Sequence, residues 1–495
     1  MGSLSRRALL LAAGGAAGWM GARQFGSHLP VYDGAQLAQP MTGARILNDA
    51  SGLSPTPIHS HITLSQDPGE ALIAAIRAEI SAAAAEGRPV NIGAARHSMG
   101  GQAIPRNGHA ITFDNGWVEP DTANGTYLTH AGARWSQIIA ALDPIGFSPK
   151  VMQSNHDFGV AATFSVNAHG WPVPWGPMGS TVRSFRMVLP SGDLVTCSRS
   201  ANPDLFAMAM GGYGLMGAII DMEVEMVPNQ RLVPTVQTMP AEDFPAAFDA
   251  AIRSGAVPMA YGRLNVARAA FFEDAILVTF RPDADQSDLP VAESSGFMSH
   301  LASYIYRWQL GNEPMKHVRW WTETVVGPAL GNGPYTRNSL MNEPVETLGD
   351  RNPVRTDILH EYFVAPDRFD EFLTACREVI PSSYQEFLNV TLRHVARDDQ
   401  SWLSYAPVDR IAAVMSFSQE MTPRAEADMA RMTRDLIDRM IEIGASYYLP
   451  YRPHPTVDQL IATYPRAPEF AAAKRELDPG LIFRNNLWES YLGAL

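Results

Sequence analysis

The sequence predicts an α+β protein built from more than one domain, and three observations carry that expectation. The chain has 495 residues, too many for one ordinary hydrophobic core, so two domains are expected. Between about residues 61 and 230, short strand-like and helix-like segments alternate, separated by Gly- and Pro-containing turns. Past Asn229 the segments lengthen, and Met, Trp and charged residues mix within them. Hydrophobic residues make up 46% of the chain and charged residues 18%, the balance of a globular protein. A net charge of −13 argues against a broad nucleic-acid-binding face. Cys197 and Cys376 lie far apart in sequence and fit no metal spacing, and the spacing leaves open whether they pair.

Taken in order, the chain begins with an address. Ser5-Arg6-Arg7-Ala8-Leu9-Leu10 is a twin-arginine pattern, and Ala8 to Ala22 carries no charge. That run is too short and too rich in Gly and Ala to expect a membrane span, so residues 1–25 are read as a twin-arginine export signal. The expected location is periplasmic or extracellular. Residues 26–60, rich in Pro, Gly, Ser and His, are expected to be a linker, and His59 and His61 are assigned to it. No other stretch is long and apolar enough to suggest a span.

A helix is expected over Pro68 to Glu86, where Leu72, Ile73, Ile76 and Ile80 recur at helical spacing and Gly87-Arg88-Pro89 stops it. Val90-Asn91-Ile92 is a short strand that runs into the small-residue loop Gly93 to Gln102. Strands are expected at Ala110–Phe113 and Thr126–Ala133, a helix at Trp135–Leu142, and a second small-residue stretch at Gly159–Gly170. Strands Phe185–Leu189 and Leu194–Cys197 flank the turn Pro190-Ser191-Gly192-Asp193. A third Gly-rich stretch, Gly211 to Gly217, leads into a strand at Asp221–Val227. Beyond it, helices are expected at Met315–Val325, Pro366–Val379 and Pro423–Ile443. Strands are expected at His360–Val364, Asn389–Val395 and Ile411–Phe417, and the tail is rich in Tyr and Pro.

Three small-residue stretches centred near residues 97, 165 and 217 are better evidence for phosphate binding than one, because consecutive backbone N–H groups in such loops cradle anions. None is a Walker sequence or a Gly-x-Gly-x-x-Gly opening a helix.

Their order resembles the FAD-binding domain of the vanillyl-alcohol oxidase/PCMH family, which includes cytokinin dehydrogenases, alditol and sugar-lactone oxidases, and decaprenylphosphoryl-ribose oxidases. Arg96-His97-Ser98-Met99-Gly100-Gly101-Gln102 is similar to that family's first flavin loop. Ala131-Gly132-Ala133-Arg134-Trp135 is similar to the strand entering a helix of its second subdomain. Ser165-Val166-Asn167-Ala168-His169-Gly170 is similar to its second flavin loop, and Gly214-Leu215-Met216-Gly217-Ala218-Ile219-Ile220 to its third. The likeness is specific over about residues 70–227 and weaker to the C-terminus.

The resemblance implies a two-subdomain PCMH-type FAD-binding module over residues 61–230. It also implies an α+β substrate (cap) domain with an antiparallel sheet over 231–445, and a segment 446–495 that returns to the FAD-binding module. It places His97 where covalent members carry the 8α link to the flavin, with Arg96 standing where glycine commonly precedes that histidine. Cofactor contacts are expected from Ala94, Ala95, Arg96, His97, Ser98, Gln102, Asp157, Ser165, His169, Gly170, Ile220 and Asn485.

Flavin chemistry on a CH–OH donor requires a group that takes the hydroxyl proton. The candidates are Glu361, Arg393, His394, Tyr451 and His454. Arg393 and His394 alternate on one strand, so only one of them is expected to face the flavin. Tyr451, Arg452 and His454 lie where lactone and alditol oxidases carry a His/Lys pair that this chain lacks. The expected activity is hydride transfer from an alcohol, sugar or lactone to FAD, with O2 or another acceptor reoxidising it. The alternatives are a CH–NH (cytokinin-like amine) dehydrogenase and a flavin-binding protein without turnover.

Overall fold

The structure, a computed structural model, describes residues 45–293, 306–326, 335–345 and 354–495. The expected export signal, residues 1–25, and the first part of the expected linker, 26–44, lie outside the described residues. The described chain mixes helices with three principal sheets.

The first is a small parallel sheet with strand order Ser60–Leu64, His109–Phe113, Val90–Gly93, in which Ile62, Ile111 and Ile92 share a row. Helix Glu70–Ala85 crosses over between its outer strands. Leu72, Ile73, Ile76, Ile80 and Ala83 fall on one face of that helix and are all buried, which is the amphipathic pattern the sequence showed.

The second sheet is antiparallel and six-stranded. Its order is Leu194–Ser198, Val182–Val188, Ala218–Pro228, Thr126–His130, Val118–Asp121, with Phe147–Pro149 on the far end of the long central strand. Helix Trp135–Leu142 covers it and buries Trp135, Ile138, Ile139 and Leu142. The third sheet has eight strands, all antiparallel, in the order Tyr335–Thr336, Arg231–Pro240, Asp274–Pro282, Met259–Leu264, Glu386–Val395, Arg410–Glu420, Arg355–Val364, Ser446–Tyr447. Helix Pro423–Glu442 packs on it, and one contiguous apolar core links all three sheets.

Several local features differ from the sequence-based expectations. Residues 45–60 are not a free linker. Ile46–Leu47 pairs with Thr56–Pro57, and the turn between them holds the first small-residue loop: Asp49 accepts the Gly101 N–H at 2.7 Å and Ala50 N–H donates to Arg96 O at 3.1 Å. The second small-residue stretch contains a short helix, Val160–Ser165, rather than loop throughout. Strands Arg231–Pro240, Met259–Leu264 and Asp274–Pro282 were not among the expected elements, although Ile276-Leu277-Val278-Thr279-Phe280 is a strand-like apolar run. Pro234 and Pro240 interrupt the first of them, and it lies near the sheet edge, where proline is tolerated. Cys197 and Cys376 are both buried and free.

The chain closes on itself. Phe483 bridges parallel to Val90, so the C-terminal segment extends the small parallel sheet. The turn before it is held by Asp478, which forms a buried ion pair with Lys474 and accepts the N–H groups of Ile482 and Phe483, each at 2.9 Å. No helix among the described residues is long and apolar enough to cross a membrane.

Candidate functional site

A cleft of about 1450 Å³, its open mouth included, runs between the three sheets. Backbone economy shapes its walls. Ala94, Ala95, Gly132, Gly159, Ala161, Ala162, Gly214 and Gly217 all line it, so main chain rather than side chain meets the space. A Cβ on Gly159 would lie 2.6 Å from the Ala94 Cβ, which shows how closely the first two small-residue loops approach.

Of the residues expected to hold a cofactor, Ala94, Ala95, Arg96, His97, Ser98, Gln102, Ser165 and His169 line this cleft. The His97 ring packs against Phe158 with centroids 4.4 Å apart. Arg96 takes a left-handed backbone conformation, φ +54°, the geometry that glycine adopts most readily. Its side chain folds back over Gly93 to reach Thr112 Oγ1 at 2.8 Å. Burial and the nearby Arg134 bring its pKa down to about 10, so it stays a cation at neutral pH. Gln102 works as a strut. Its amide accepts the Gly100 N–H and donates to Leu449 O and Tyr451 O at 2.8 and 2.9 Å, which ties the first loop to the returning tail.

The structure places four expected contacts outside the cleft lining. Asp157 pairs with His156 and accepts the Val345 N–H. Gly170 lies so close to Met152 that a Cβ would sit 1.9 Å from the Met152 carbonyl oxygen, so it serves packing. Ile220 is fully buried, and strand alternation gives its place on the cleft wall to Ile219. Asn485 caps helix Asn486–Ser490 through the N–H groups of Leu487 and Trp488, and donates to Tyr213 O at 2.9 Å.

At one part of the cleft, four polar side chains from four stretches of chain meet. Strand Arg355–Val364 alternates, so His360 and Tyr362 point away while Leu359 and Glu361 line the cleft. The Glu361 carboxylate is fully engaged. One oxygen meets His169 Nε2 in a short contact, and the other accepts the Tyr451 hydroxyl at 2.9 Å. Arg393 Nη1 donates to His169 O at 3.3 Å and Nη2 to Ser154 Oγ at 3.1 Å. Burial alone would push the Glu361 carboxyl up, but His169, Arg393 and Tyr451 outweigh it and hold the group below the usual carboxylate range. The Tyr451 hydroxyl is driven well above its ordinary value by burial and by the adjacent Glu361, so it acts as a donor. His169 Nδ1 has no hydrogen-bond partner among the described residues and is sealed from solvent. An unsatisfied buried nitrogen costs roughly 1–3 kcal/mol, which a bound molecule would recover.

Two expected catalytic candidates are not part of this group. His394 follows Arg393 on the strand and therefore faces the opposite side, edge-on to Phe248. His454 is buried against helix Pro423–Glu442, with Nε2 2.9 Å from Glu426 and Nδ1 3.1 Å from Thr433 Oγ1, and neither histidine lines the cleft. Residues that sequence reasoning missed include Tyr448, which lines the cleft and donates to Val166 O at 2.8 Å, and Ser154. The aromatic density of the tail pointed weakly to Tyr448. Ser154 gave no signal, because its role depends on Arg393, distant in sequence.

The donor set fits a flavin dinucleotide. The small-residue walls admit close backbone approach, Arg96 supplies positive charge for a diphosphate, and the unpartnered His169 Nδ1 awaits a partner. Comparison with known proteins agrees: residues 72–198 match the FAD binding domain family. The chain is 31% identical over 179 residues to cytokinin dehydrogenase 1 of Oryza sativa subsp. japonica, covering 34% of this chain and 33% of the relative. It is 25% identical over 177 residues to a mitochondrial L-galactono-1,4-lactone dehydrogenase of the same plant, covering 36% and 30%. It is 26% identical over 147 residues to a Neurospora crassa protein provisionally named a D-arabinono-1,4-lactone oxidase, covering 27% and 26%. The similarity thus spans about a quarter to a third of the length of these relatives.

Proposed function

We propose, from the match of residues 72–198 to the FAD binding domain family, that the whole chain is an FAD-dependent oxidoreductase acting on a CH–OH donor, an alcohol, sugar or lactone. The observation that carries this reading is the group on the cleft wall formed by buried Glu361 and His169 with half-buried Tyr451 and Arg393. When bound, FAD supplies the hydride acceptor. Glu361 and His169, sharing one short contact, hold the proton released from the donor hydroxyl. Arg393 and Ser154 offer N–H and hydroxyl contacts that orient a second oxygen of the donor. Tyr448 and Tyr451 close the polar wall with aromatic surface, which keeps water from the reacting carbon.

A lining that combines a guanidinium with hydroxyls favours a polyol or lactone over a CH–NH amine, the substrate class of the cytokinin dehydrogenases among the relatives. The buried carboxylate is the feature that would serve an amine instead. Attachment of FAD through His97 belongs to the same proposal, supported by the place of His97 in the cleft beside Phe158. A covalent flavin would also suit a protein exported folded, as the Ser5–Leu10 pattern suggests.

The test is anaerobic titration of the purified yellow protein with a panel of alcohols, sugars, lactones and amines. Loss of flavin absorbance with a CH–OH compound supports the proposal. Bleaching by amines alone transfers the chain to the CH–NH class, and bleaching by none supports a flavin-binding protein without turnover. Adding O2 or a dye to the reduced protein then separates oxidase from dehydrogenase.

A further inference from the structure

At the far end of the small parallel sheet, three side chains from separate segments converge. His59 precedes the first strand, Glu86 follows the last residue of helix Glu70–Ala85, and His109 begins the central strand. The cleft lies at the other end of that strand, where Phe113 lines it, about 13 Å away at the rise of an extended chain. Glu86 Oε2 is 3.2 Å from His59 Nε2 and 3.6 Å from His109 Nε2, and one donor atom from each residue lies within 4.8 Å of the other two.

The surroundings of His109 are the informative part. Its imidazole is 6% exposed, and Nδ1 is 3.0 Å from Glu79 Oε2. A carboxylate there favours the proton on Nδ1 and turns Nε2 toward Glu86 Oε2, 3.6 Å away. Nε2 is buried and has no hydrogen-bond partner among the described residues. A carboxylate behind one ring nitrogen and an open lone pair at the other is the arrangement that orients a metal-ligating histidine. The spacing agrees. Two ligands at 2.0–2.1 Å from a tetrahedral ion stand about 3.3 Å apart, between the 3.2 and 3.6 Å separations here.

We propose that His59, Glu86 and His109 bind one zinc-class divalent ion, with water completing its coordination and Glu79 as the positioning residue behind His109. Two imidazoles and one carboxylate favour first-row ions such as Zn²⁺ over Mg²⁺ or Ca²⁺, which take all-oxygen sites. Arg88 is the competing cation. Its Nε donates to Glu86 Oε2 at 2.9 Å, and its partly exposed side chain leaves that oxygen when the ion enters. The ion ties the start of one strand to the end of a helix and the start of another strand. Its effect is therefore on stability, and turnover at the cleft is unaffected.

The experiment uses the full-length flavin-loaded protein, treated with chelator and desalted, then titrated with Zn²⁺ by calorimetry and with Co²⁺ by visible absorption. One ion per chain is expected, with a rise in the thermal unfolding midpoint. His59→Asn, an exposed position that tolerates change, and His109→Asn should each weaken binding more than tenfold. Glu79→Gln should weaken it about tenfold, and Arg88→Ala should tighten it. The flavin reduction rate should not change in any of them. Absence of Zn²⁺ binding, or binding undiminished in His59→Asn and His109→Asn, would overturn the proposal.

Discussion

At Glu361, burial and charge pull in opposite directions, and charge prevails. The same contest decides His130 the other way. Its ring is fully buried, Nδ1 accepts the Gly132 N–H at 2.8 Å, and burial brings its pKa down to about 4 despite the nearby Asp221 and Asp67. Between pH 6.5 and about 4 the unfolded chain binds a proton at this residue that the folded chain does not. Stability therefore rises with pH through that window, is complete above it, and is lost as pH falls toward 4. The size is roughly 3 kcal/mol. Denaturant midpoints across that window should show this slope, and His130→Asn should flatten it. Arg393 gives a second prediction: Arg393→Met should raise KM for an oxygen-rich donor at least tenfold while leaving flavin content intact, as steady-state kinetics would show. Single residues were legible where they sat in small-residue loops, as with His97, Ser98 and His169. Ser154 and Tyr448 were not, because only the fold brings them to Arg393 and the cleft.

Alternation along strands, at the scale of the element, sorted candidates that sequence could only propose in pairs. It put Arg393 on the cleft and His394 off it, and Ile219 on the wall in place of Ile220. Long amphipathic helices such as Glu70–Ala85 and Pro423–Glu442 were readable from apolar spacing, because their buried faces are continuous. Among the early strands of the eight-stranded sheet, prolines hide the alternation of Arg231–Pro240, whereas Asp274–Pro282 carried a readable apolar run that was missed. The segment 45–60 was misread for another reason: its contacts run to Gly101, Arg96 and Thr356, none of them local. The short helix Asn486–Ser490 depends on its cap. Asn485→Ala should cost about 1–2 kcal/mol in chemical denaturation, since the change removes the cap and the bond to Tyr213 O together.

Across the whole molecule, the cleft exists only because three distant stretches converge. The first loop is held from one side by residues 45–60 and from the other by the returning tail, through Gln102, and through the bond from Met99 N–H to Pro450 O at 2.7 Å. A ligand that fills such a cleft stabilises the folded state by mass action. The flavin-loaded protein should therefore unfold at a higher temperature than flavin-depleted His97→Ala, and added FAD should restore part of the difference. If FAD is attached through His97, acid-precipitated wild type should keep its flavin absorbance and His97→Ala should release it to the supernatant. The fold class and the identity of the cofactor domain were visible in the order of three small-residue loops. The architecture of the substrate face was not, because it arises from pairing between strands far apart in sequence, such as Gly262 with Leu392.

The claim that Glu361 and His169 receive the donor's proton is tested most directly by the rate of flavin reduction in anaerobic rapid mixing, with Glu361→Gln compared against the wild type. Equal flavin content with reduction slowed by a hundredfold or more is the predicted result. An unchanged reduction rate at equal flavin content would contradict it.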